Sequence, residues 1–355
     1  YQEANFAHFR ELLEEHEGIC VSYPTVYRIL TRAGVISPKK KRKRKAHHRR
    51  KRKPQEGMLV QIDASPHTWF VGDVPFSLHG AIDDATGKIL ALFFTENECL
   101  EGYFQIMSHI LNSHGIPMSI YCDRHTIFVS PKDGKLSIDE QLQGKQVNLT
   151  QFGRAMDELG INVIKAKSAQ GKGRIERLWE TLQSRLPVEF KIRGIDTMEK
   201  ANAFLVEFVE RYNQKFAVQP ESPESAFRPL ELGIELDTIF CIKEERTIVN
   251  GGAFSYQGQY YLLDKKQASR LPKAKITVLS SPKTGIRAIY DGKVYDALPI
   301  AERPKTEHVS NSKIKSKKEG RYIPPGDHPW RKKQTKKPKQ FYEEPDSEIL
   351  KMLDE

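Results

Sequence analysis

The order of apolar segments between residues 58 and 187 constrains the fold more than any other feature of the chain. Three short strand-like segments come first, at 58–63, 76–82 and 88–95. After them helix-like and strand-like segments alternate, at 100–113, 119–123, 151–159, 161–165 and 174–186. A group of strands followed by such an alternation is typical of a mixed sheet with helices on its faces. The sequence therefore predicts an α/β domain.

Shorter elements are predicted on both sides of this domain. Before it, two helical segments separated by a turn form the pattern of a helix-turn-helix. After it, short strands that begin at 238–242 and continue to residue 298 favour a small β-barrel. We divide the chain into a helix-turn-helix unit (1–38), a basic linker (39–56), the α/β domain (57–190) with an inserted segment (129–149), a helical connector (191–236), a barrel (237–300) and a basic, disordered tail (301–355).

Positive charge is concentrated in two segments. The formal net charge is +11, yet residues 39–53 alone contain 12 Lys or Arg and no acid, and residues 303–340 contain 13 with 3 acids. Runs of like charge are typical of arms that bind a polyanion. Nucleic acid fits best, and a solvated linker or a nuclear-import signal is the alternative. The candidate phosphate contacts in the first run are Lys40, Arg42, Arg44, Arg49, Arg50 and Arg52.

Other classes of protein are excluded by composition. The longest purely apolar run, 89–94, is far shorter than the roughly 20 residues that cross a bilayer, so no membrane partner is expected. The four cysteines are far apart and form no CxxC pair, which argues against a disulfide scaffold and a cysteine-rich zinc site. They fit a reducing compartment, and we expect a cytoplasmic protein.

The second predicted helix, which begins near Ser22, carries candidate DNA-reading residues. Its expected buried stripe consists of Val26, Ile29, Leu30 and Ala33. The residues that face away from this stripe are Ser22, Tyr23, Thr25, Arg28 and Arg32. In a helix-turn-helix, such residues reach base edges in the major groove. An ordinary helical hairpin is the alternative, and the basic run directly after the helix favours DNA.

Three acidic residues stand where the predicted topology brings distant segments together. Asp63 ends the first strand, Asp123 ends the fourth, and Glu176 lies in the first turn of the last helix of the domain. If the two strands are neighbours, the carboxylates meet at one edge of the sheet, where they repel one another unless a cation neutralises them. Oxygen ligands favour Mg²⁺, with Mn²⁺ able to substitute. Taken singly, each acid also fits a turn, a cap or the helix dipole.

The chemistry expected of such a site is phosphoryl transfer. Two metal ions about 3.5–4 Å apart can activate a water or a 3′-hydroxyl and stabilise the leaving oxygen at phosphorus. Three other acids are alternative candidates for metal ligands. Glu180 lies one turn after Glu176 on the same helix face. Asp83 and Asp84 are explained by a hairpin turn.

Three blocks resemble the catalytic motifs of the retroviral-integrase-like DDE transposases, in particular the ISNCY type of bacterial insertion-sequence transposase. They are VQIDAS at 60–65, YCDRHTIF at 121–128 and GKGRIERLWETL at 171–182. The resemblance implies an RNase H-like catalytic core in which the metal ligands are Asp63, Asp123 and Glu176. It also implies that further residues contact DNA near the site, namely Lys172, Arg174 and Arg177. For Arg177, pairing with an acid such as Glu180 or Asp123 is the alternative. A homo-oligomer, dimer or higher, on paired element ends and a bacterial, nucleoid-associated location follow from the same resemblance.

The chain departs from the family pattern at two points. Asp123 and Glu176 are 53 residues apart, more than is common in the family, and the polar segment 129–149 accounts for most of the excess. The zinc-binding HHCC domain of the retroviral relatives is absent from the sequence. We expect a DNA transposase that binds terminal inverted repeats, cleaves at element ends and joins the 3′-hydroxyl to target double-stranded DNA. The alternatives are a DNA-binding regulator with a degenerate nuclease fold and an RNase H-like nuclease without strand transfer.

Overall fold

A computed structural model describes residues 1, 3–38, 50–72, 74–131, 148–166, 172–249, 252–263, 274–301 and 325. Residues 1–304 form one compact unit. Most of the basic linker, most of the inserted segment and nearly all of the tail lie outside the described residues. The predictions for these parts stay predictions, including the phosphate contacts assigned to Lys40, Arg42, Arg44 and Arg49.

Two helices, α1 (Phe6–Glu17) and α2 (Tyr23–Arg32), stand at the N-terminal positions that the sequence predicts. The side chain of Asn5 caps α1, and Gly18 ends that helix with a left-handed φ of 67°. Ser22 caps α2 by accepting a hydrogen bond from the backbone N–H three residues later. Local capping chemistry therefore sets both helices.

The buried stripe expected on α2 is only partly correct. Val26 is buried and Leu30 is half-buried, but Ala33 is exposed and Ile29 is 56% exposed. The apolar stripe of one short helix is buried only as far as a second element reaches over it. In the described residues the outer part of this stripe therefore lies at the surface.

A five-stranded mixed sheet forms the centre of the α/β domain. Its strands are β1 (Val60–His67), β2 (Phe76–Asp83), β3 (Ile89–Thr95), β4 (Ser119–Cys122) and β5 (Asn162–Lys165), in the order β3-β2-β1-β4-β5. The first three strands pair antiparallel, whereas β4 runs parallel to β1 and β5 parallel to β4. This order and these directions confirm the mixed sheet that the sequence predicts for this α/β domain.

Helices cover both faces of the sheet. They are α3 (Leu100–Ser113), α4 (Gln151–Glu158), α5 (Gly173–Arg193) and α6 (Met198–Phe216). One core packs α3 and α4 against the strands through residues such as Met107 and Phe152, and a second packs α5 and α6 through residues such as Leu182 and Phe204. No helix among the described residues is long and apolar enough to cross a membrane.

Two elements of this domain are longer than the sequence predicts. Strand β1 continues past Asp63 because Ser65, which is 4% exposed, still pairs with β2. Helix α5 continues past Pro187 because Phe190, in its last turn, is 1% exposed and belongs to the core. The helix then ends at Gly194, which has a left-handed φ of 63°. In α5, burial of Phe190 outweighs the local stop signal of Pro187.

A six-stranded antiparallel sheet follows the helical connector. Its strands are β6 (Ile242–Thr247), β7 (Ala253–Tyr256), β8 (Gln259–Leu263), β9 (Lys275–Ser281), β10 (Gly285–Tyr290) and β11 (Lys293–Ile300), in the order β6-β9-β10-β11-β8-β7. In the described residues the end strands β6 and β7 share no ladder, so closure into a barrel stays a prediction.

The strand expected at 238–242 is wrong. A short helix, α7 (Leu236–Ile239), covers the first two residues of that segment, and β6 begins only at its last residue, Ile242. The spacing of Leu236 and Ile239 places both on one helix face, which packs against the core beneath α3 and α4. A contact with another part of the chain therefore explains why this segment is a helix and not the expected strand.

Helix α4 anchors the C-terminal sheet to the α/β domain. The Gln151 amide exchanges two hydrogen bonds with the backbone of Lys243, at 2.8 and 2.9 Å. Arg154 donates to the carbonyls of Ile239 and Cys241 at 3.0 and 2.6 Å. The edge of the sheet that begins with β6 is therefore fixed beside α4.

Candidate active site

Asp63 and Asp123 lie level with each other on adjacent strands. Strands β1 and β4 are parallel neighbours, and their register pairs Val60 with Ile120 and Gln61 with Tyr121. Continuing the register by two residues sets Asp63 beside Asp123, the residue that directly follows β4. The structure therefore brings these two acids together.

The ammonium of Lys172 lies between the two carboxylates. Its Nζ is 2.7 Å from Asp63 Oδ1 and 3.4 Å from Asp123 Oδ2, and the Lys172 side chain is 8% exposed. Burial alone lowers the pKa of Lys172, but the two carboxylates outweigh burial and hold that pKa above its ordinary value. At neutral pH the site therefore contains two acids and one internal cation.

Helix α5 is fixed along β1 by side-chain hydrogen bonds. Trp179 Nε1 donates to Asp63 Oδ2 at 3.1 Å, and one turn later Gln183 Nε2 donates to Ser65 Oγ at 3.0 Å. At the start of the helix the Ile175 N–H donates to a side-chain oxygen of β1 at 3.3 Å. One face of α5 therefore follows the strand that carries Asp63.

Glu176 lies on that same face of α5. It stands four residues after Lys172 and three before Trp179, spacings that place residues on one side of a helix, and both neighbours contact Asp63. Glu176 itself is exposed. Within the described ranges no three His, Cys, Asp or Glu side chains are arranged to hold one metal ion. The structure thus brings together two of the three predicted acids, and the third lies on the helix face that passes over them.

Asp84 collects donors from two distant parts of the chain. Its carboxylate is fully buried. One oxygen accepts from Gln61 Nε2 at 2.9 Å, from Arg174 Nε at 2.7 Å and from Arg50, and the other accepts from the Lys53 N–H at 2.9 Å. The interpretation of this acid as a turn residue is therefore incomplete, because it joins the end of the basic linker to the start of α5.

Asp83, in contrast, serves the turn as predicted. Its Oδ2 accepts from the backbone N–H and the hydroxyl of Thr86, at 2.7 Å each. Its Oδ1 accepts from the Gly57 N–H at 3.0 Å. Burial raises the pKa of Asp83, and these donors offset only part of that shift.

Several predicted DNA contacts lie around Asp84. Arg52 donates to the carbonyls of Asp84 and Ala85, at 3.4 and 3.0 Å. The side chain of Arg50 is 47% exposed and that of Arg174 is 15% exposed. Arg52 and Arg177 are also exposed. Guanidinium groups from the linker and from α5 thus share one stretch of surface.

The predicted contacts on α2 form a second group. Tyr23 is 46% exposed, and Arg28 and Arg32 are exposed as well. Ser22 and Thr25 serve the helix itself, since their hydroxyls hydrogen-bond at 3.0 Å and Ser22 is the cap. The structure does not bring this group to the pair of acids through any contact among the described residues.

Gln61 and Trp179 are site residues that sequence reasoning missed. Gln61 is fully buried and joins Asp84 to the first turn of α5, where it accepts from the Ile175 N–H. A glutamine between Val60 and Ile62 in an apolar strand is a usable signal, because a buried amide needs polar partners. Trp179 gave no comparable signal, since a tryptophan at core spacing is ordinary.

Comparison with known proteins finds a curated relative across almost the whole chain. The chain is 33% identical to the transposase for insertion sequence IS1202 of Streptococcus pneumoniae over 385 residues, which cover 98% of this chain and 81% of that protein. The chain belongs to the insertion-sequence transposase family. This transposase is also 40% identical to the putative transposase y4bF of Sinorhizobium fredii (strain NBRC 101917 / NGR234) over 264 residues, or 73% of its own length and 55% of the relative. No family model matches it. The expectation of a DDE-type transposase is confirmed.

Structures of retroviral integrases are among the solved structures that resemble this transposase. The simian T-cell lymphotropic virus intasome, in complex with the PP2A regulatory subunit B56 gamma, matches with 14% identity and a TM-score of 0.36, over 81% of this chain and 95% of that chain. The HTLV-2 integrase catalytic core domain in complex with magnesium matches with 14% identity and a TM-score of 0.32, over 48% and 94%. These likenesses are loose, and the family assignment rests on the curated relatives.

Proposed function

We propose that this transposase cleaves DNA at the ends of a mobile element and joins the 3′-hydroxyl to target DNA by two-metal-ion phosphoryl transfer. The observation that carries the proposal is the pairing of Asp63 and Asp123 around one positive group, Lys172 Nζ, at 2.7 and 3.4 Å. Paired carboxylates that share a cation are a ligand set for Mg²⁺ or Mn²⁺. We take DNA as the substrate because the chain belongs to the insertion-sequence transposase family.

The residues present fit a divalent cation. The side chains of Asp63 and Asp123 are 18% and 42% exposed, so the pair is open to solvent on one side. Glu176, on the face of α5 that follows β1, is the third ligand. When bound, the metal ions activate the attacking oxygen and stabilise the leaving oxygen. HTLV-2 integrase, a retroviral enzyme, has been solved in complex with magnesium.

Hydrogen bonds from this chain orient the ligand carboxylates. The Trp179 indole fixes Asp63 Oδ2, and the His125 N–H donates to Asp123 Oδ1 at 2.8 Å. Each acid thus has one oxygen held by the protein and one directed at the shared cation. Such fixed ligands reduce the reorganisation that metal binding and phosphoryl transfer require.

DNA approaches this site along the arginine surface around Asp84. Arg50, Arg52 and Arg174 carry three positive charges beside two buried acids, Asp83 and Asp84, so positive charge remains for phosphates. Arg177 extends the surface along α5. The basic linker, with Lys40, Arg42, Arg44 and Arg49, contacts further phosphates.

The flanking modules hold the DNA, and the transposase works as an assembly. Helices α1 and α2 act as a helix-turn-helix that reads the terminal inverted repeats, with contacts from Ser22, Tyr23, Thr25, Arg28 and Arg32. The C-terminal sheet acts as a small barrel that touches DNA. A homo-oligomer, dimer or higher, brings two ends together in the bacterial cytoplasm, at the nucleoid.

The Asp63→Asn variant tests this function. Asparagine keeps the size of the side chain and removes the charge that a metal needs. DNA binding should survive, while end cleavage and joined products with Mg²⁺ should fall to background. The matched control is Asp196→Asn, which removes an acid from an exposed pair with Lys200. Undiminished strand transfer by Asp63→Asn would contradict the proposal.

The same assay separates the two alternative functions. Metal-dependent nicking without joined products identifies a nuclease. Binding with neither nicking nor joining identifies a regulator. Labelled donor ends and an unlabelled circular target make the three outcomes distinguishable on one gel.

A further inference from the structure

We infer that Lys172 is an internal cation that occupies the metal position between Asp63 and Asp123, and that a divalent ion binds by displacing it. The inference rests on the proposed function, because it concerns the same metal ligands. It assigns Lys172 a positioning role that differs from the DNA contact expected of it.

The geometry of Lys172 is that of a built-in counter-ion. Its Nζ contacts one oxygen of each acid, at 2.7 and 3.4 Å, and the residue is 7% exposed. Lys172 is the residue before the first turn of α5, and its side chain makes no capping hydrogen bond there. The side chain is therefore committed to the two carboxylates.

Charge makes this arrangement exclusive. Two carboxylates and one ammonium leave a net charge of −1, which stabilises the pair without a metal. An added divalent ion would lie beside the ammonium, and two cations in one partly buried space repel each other strongly. Either Lys172 or a divalent ion occupies the position, so metal binding in the protein without DNA is weakened by its own lysine.

The position of Glu176 fits this exchange. Lys172 and Glu176 are four residues apart on one face of the same helix start, and Lys172 is buried at the acids while Glu176 is exposed. Gly173 lies between them, and among the described residues no atom lies within 4 Å of the position of its Cβ, so no described neighbour blocks a shift of the helix start on that side. Departure of the ammonium opens the space that the third ligand needs. A phosphate of the bound DNA is then the natural partner for the released lysine.

Metal binding by variants of the whole chain tests the inference. Titration of Mn²⁺ into protein without DNA should give a Kd that is about tenfold lower or more for Lys172→Gln than for the wild type, since one repelling charge is removed. The matched control, Lys200→Gln, loses a lysine from an exposed ion pair and should bind as the wild type does. Adding Asp63→Asn to Lys172→Gln should remove the gain. An equal or higher Kd for Lys172→Gln overturns the inference.

Failure of the proposed function gives a different result. If Asp63→Asn leaves Mn²⁺ binding of Lys172→Gln unchanged, the two acids are not the metal site at all. If Asp63→Asn abolishes binding but Lys172→Gln binds no better than the wild type, the metal site stands and the displacement does not.

A second measurement uses the unmodified protein, so it holds even if the lysine variant does not fold. An amine-labelling reagent should modify Lys172 slowly without metal, because the residue is buried and ion-paired. Saturating Mn²⁺ should raise its labelling severalfold, read by peptide mass spectrometry, while Lys200 stays constant. Unchanged labelling of Lys172 at saturating Mn²⁺ overturns the inference, and a purely structural lysine would give that result.

Discussion

Trp179 Nε1 donates a hydrogen bond to Asp63 Oδ2 at 3.1 Å, so the helix that carries Glu176 holds one of the candidate metal ligands directly. The same indole is 7% exposed and lies against β2, where a Cβ on Gly80 would come within 2.5 Å of Trp179 Cη2. The helix, the strand and the carboxylate therefore form one packed unit. Changes in packing behind the tryptophan should reach the site.

Replacing Trp179 by Phe should lower strand transfer by about tenfold, the equivalent of ~1.4 kcal/mol, with little change in DNA binding. Phenylalanine keeps an aromatic ring but cannot donate to Asp63, so the carboxylate loses one of its fixed partners. The measurement is the rate of joined-product formation at saturating Mg²⁺.

Trp69 offers a matched control for that variant. Its indole also donates within the core, to the carbonyls of Ser65 and Phe76 at 3.3 and 3.0 Å, and it is 0% exposed. Trp69→Phe should lower the free energy of unfolding by about 1 kcal/mol, as much as Trp179→Phe does. It should retain the wild-type rate of strand transfer per folded molecule. Equal loss of rate in both variants would show that the effect is general destabilisation.

Replacing Gly80 by Ala should destabilise the protein by about 1–3 kcal/mol and lower activity as well. The new methyl group would lie 2.5 Å from Trp179 Cη2 and 3.0 Å from Leu92 Cδ2, so the indole must shift away from Asp63. Urea unfolding measures the first effect and strand transfer the second. Gly173→Ala is the control for stability, because a Cβ there has no neighbour within 4 Å in the part of the chain that the structure describes. A Gly80→Ala protein of wild-type stability would contradict this packing.

Sequence periodicity predicted the α/β elements well because their ends are marked locally. The limits of α3, Leu100–Ser113, are those that the apolar face and the following Gly115 indicate. Prediction failed where a distant contact decides, as in α7, which packs on the core of another domain. The extension of α5 past Pro187 has the same cause, since Phe190 is buried by residues far away in the sequence.

The candidate site also contains features that the sequence predicts and features that depend on distant contacts. The proximity of Asp63 and Asp123 could be predicted from the sequence, because each follows the apolar residues of a strand and the two strands are parallel neighbours in register. The roles of Lys172 and Asp84 could not, because each depends on side chains that reach across more than 30 residues of sequence. The family resemblance assigned Lys172 to DNA, and only the structure shows which carboxylates face it.

Replacing Glu11 by Gln should loosen α1 from the α/β domain in a pH-dependent manner. Glu11 accepts from Arg185 Nη2 at 3.1 Å and lies 3.0 Å from Lys215 Nζ. Burial by itself raises the pKa of Glu11, but these two cations outweigh burial and hold the pKa below its ordinary value of 4.5. The contribution to stability is therefore present above pH 4.5 and is lost as the pH falls further.

The expected loss for Glu11→Gln at neutral pH is about 2–3 kcal/mol, seen as faster amide exchange in α1. The difference in stability between Glu11→Gln and the wild type should become smaller under acid conditions, where Glu11 is protonated in both the folded and the unfolded protein. Glu3→Gln is the control, because Glu3 is 65% exposed in its pair with Lys191, and a surface pair contributes little. A difference that stays constant with pH would exclude this ion pair as the cause.

His79 should make the protein less stable below neutral pH. It is fully buried on β2, and burial lowers its pKa from the ordinary 6.5 to about 4. The Cys99 N–H donates to His79 Nε2 at 3.2 Å, so the neutral ring carries its proton on Nδ1, 3.4 Å from Thr95 Oγ1. The unfolded chain takes up a proton first as the pH falls, so the stability present above pH 6.5 is lost progressively towards pH 4.

The size of this effect follows from the shift in pKa, since each unit corresponds to about 1.4 kcal/mol and the whole change to ~3 kcal/mol. Urea unfolding at several pH values should therefore show a steep decline for the wild type. His79→Gln, which has no titrating ring, should start from a lower stability at neutral pH and decline less. His16→Gln, at an exposed position on α1, should keep the wild-type slope. If the free energy of unfolding falls in parallel with pH for the wild type and for His79→Gln, other groups cause the acid sensitivity. Removal of a buried neutral histidine that titrates must change the slope of this pH dependence.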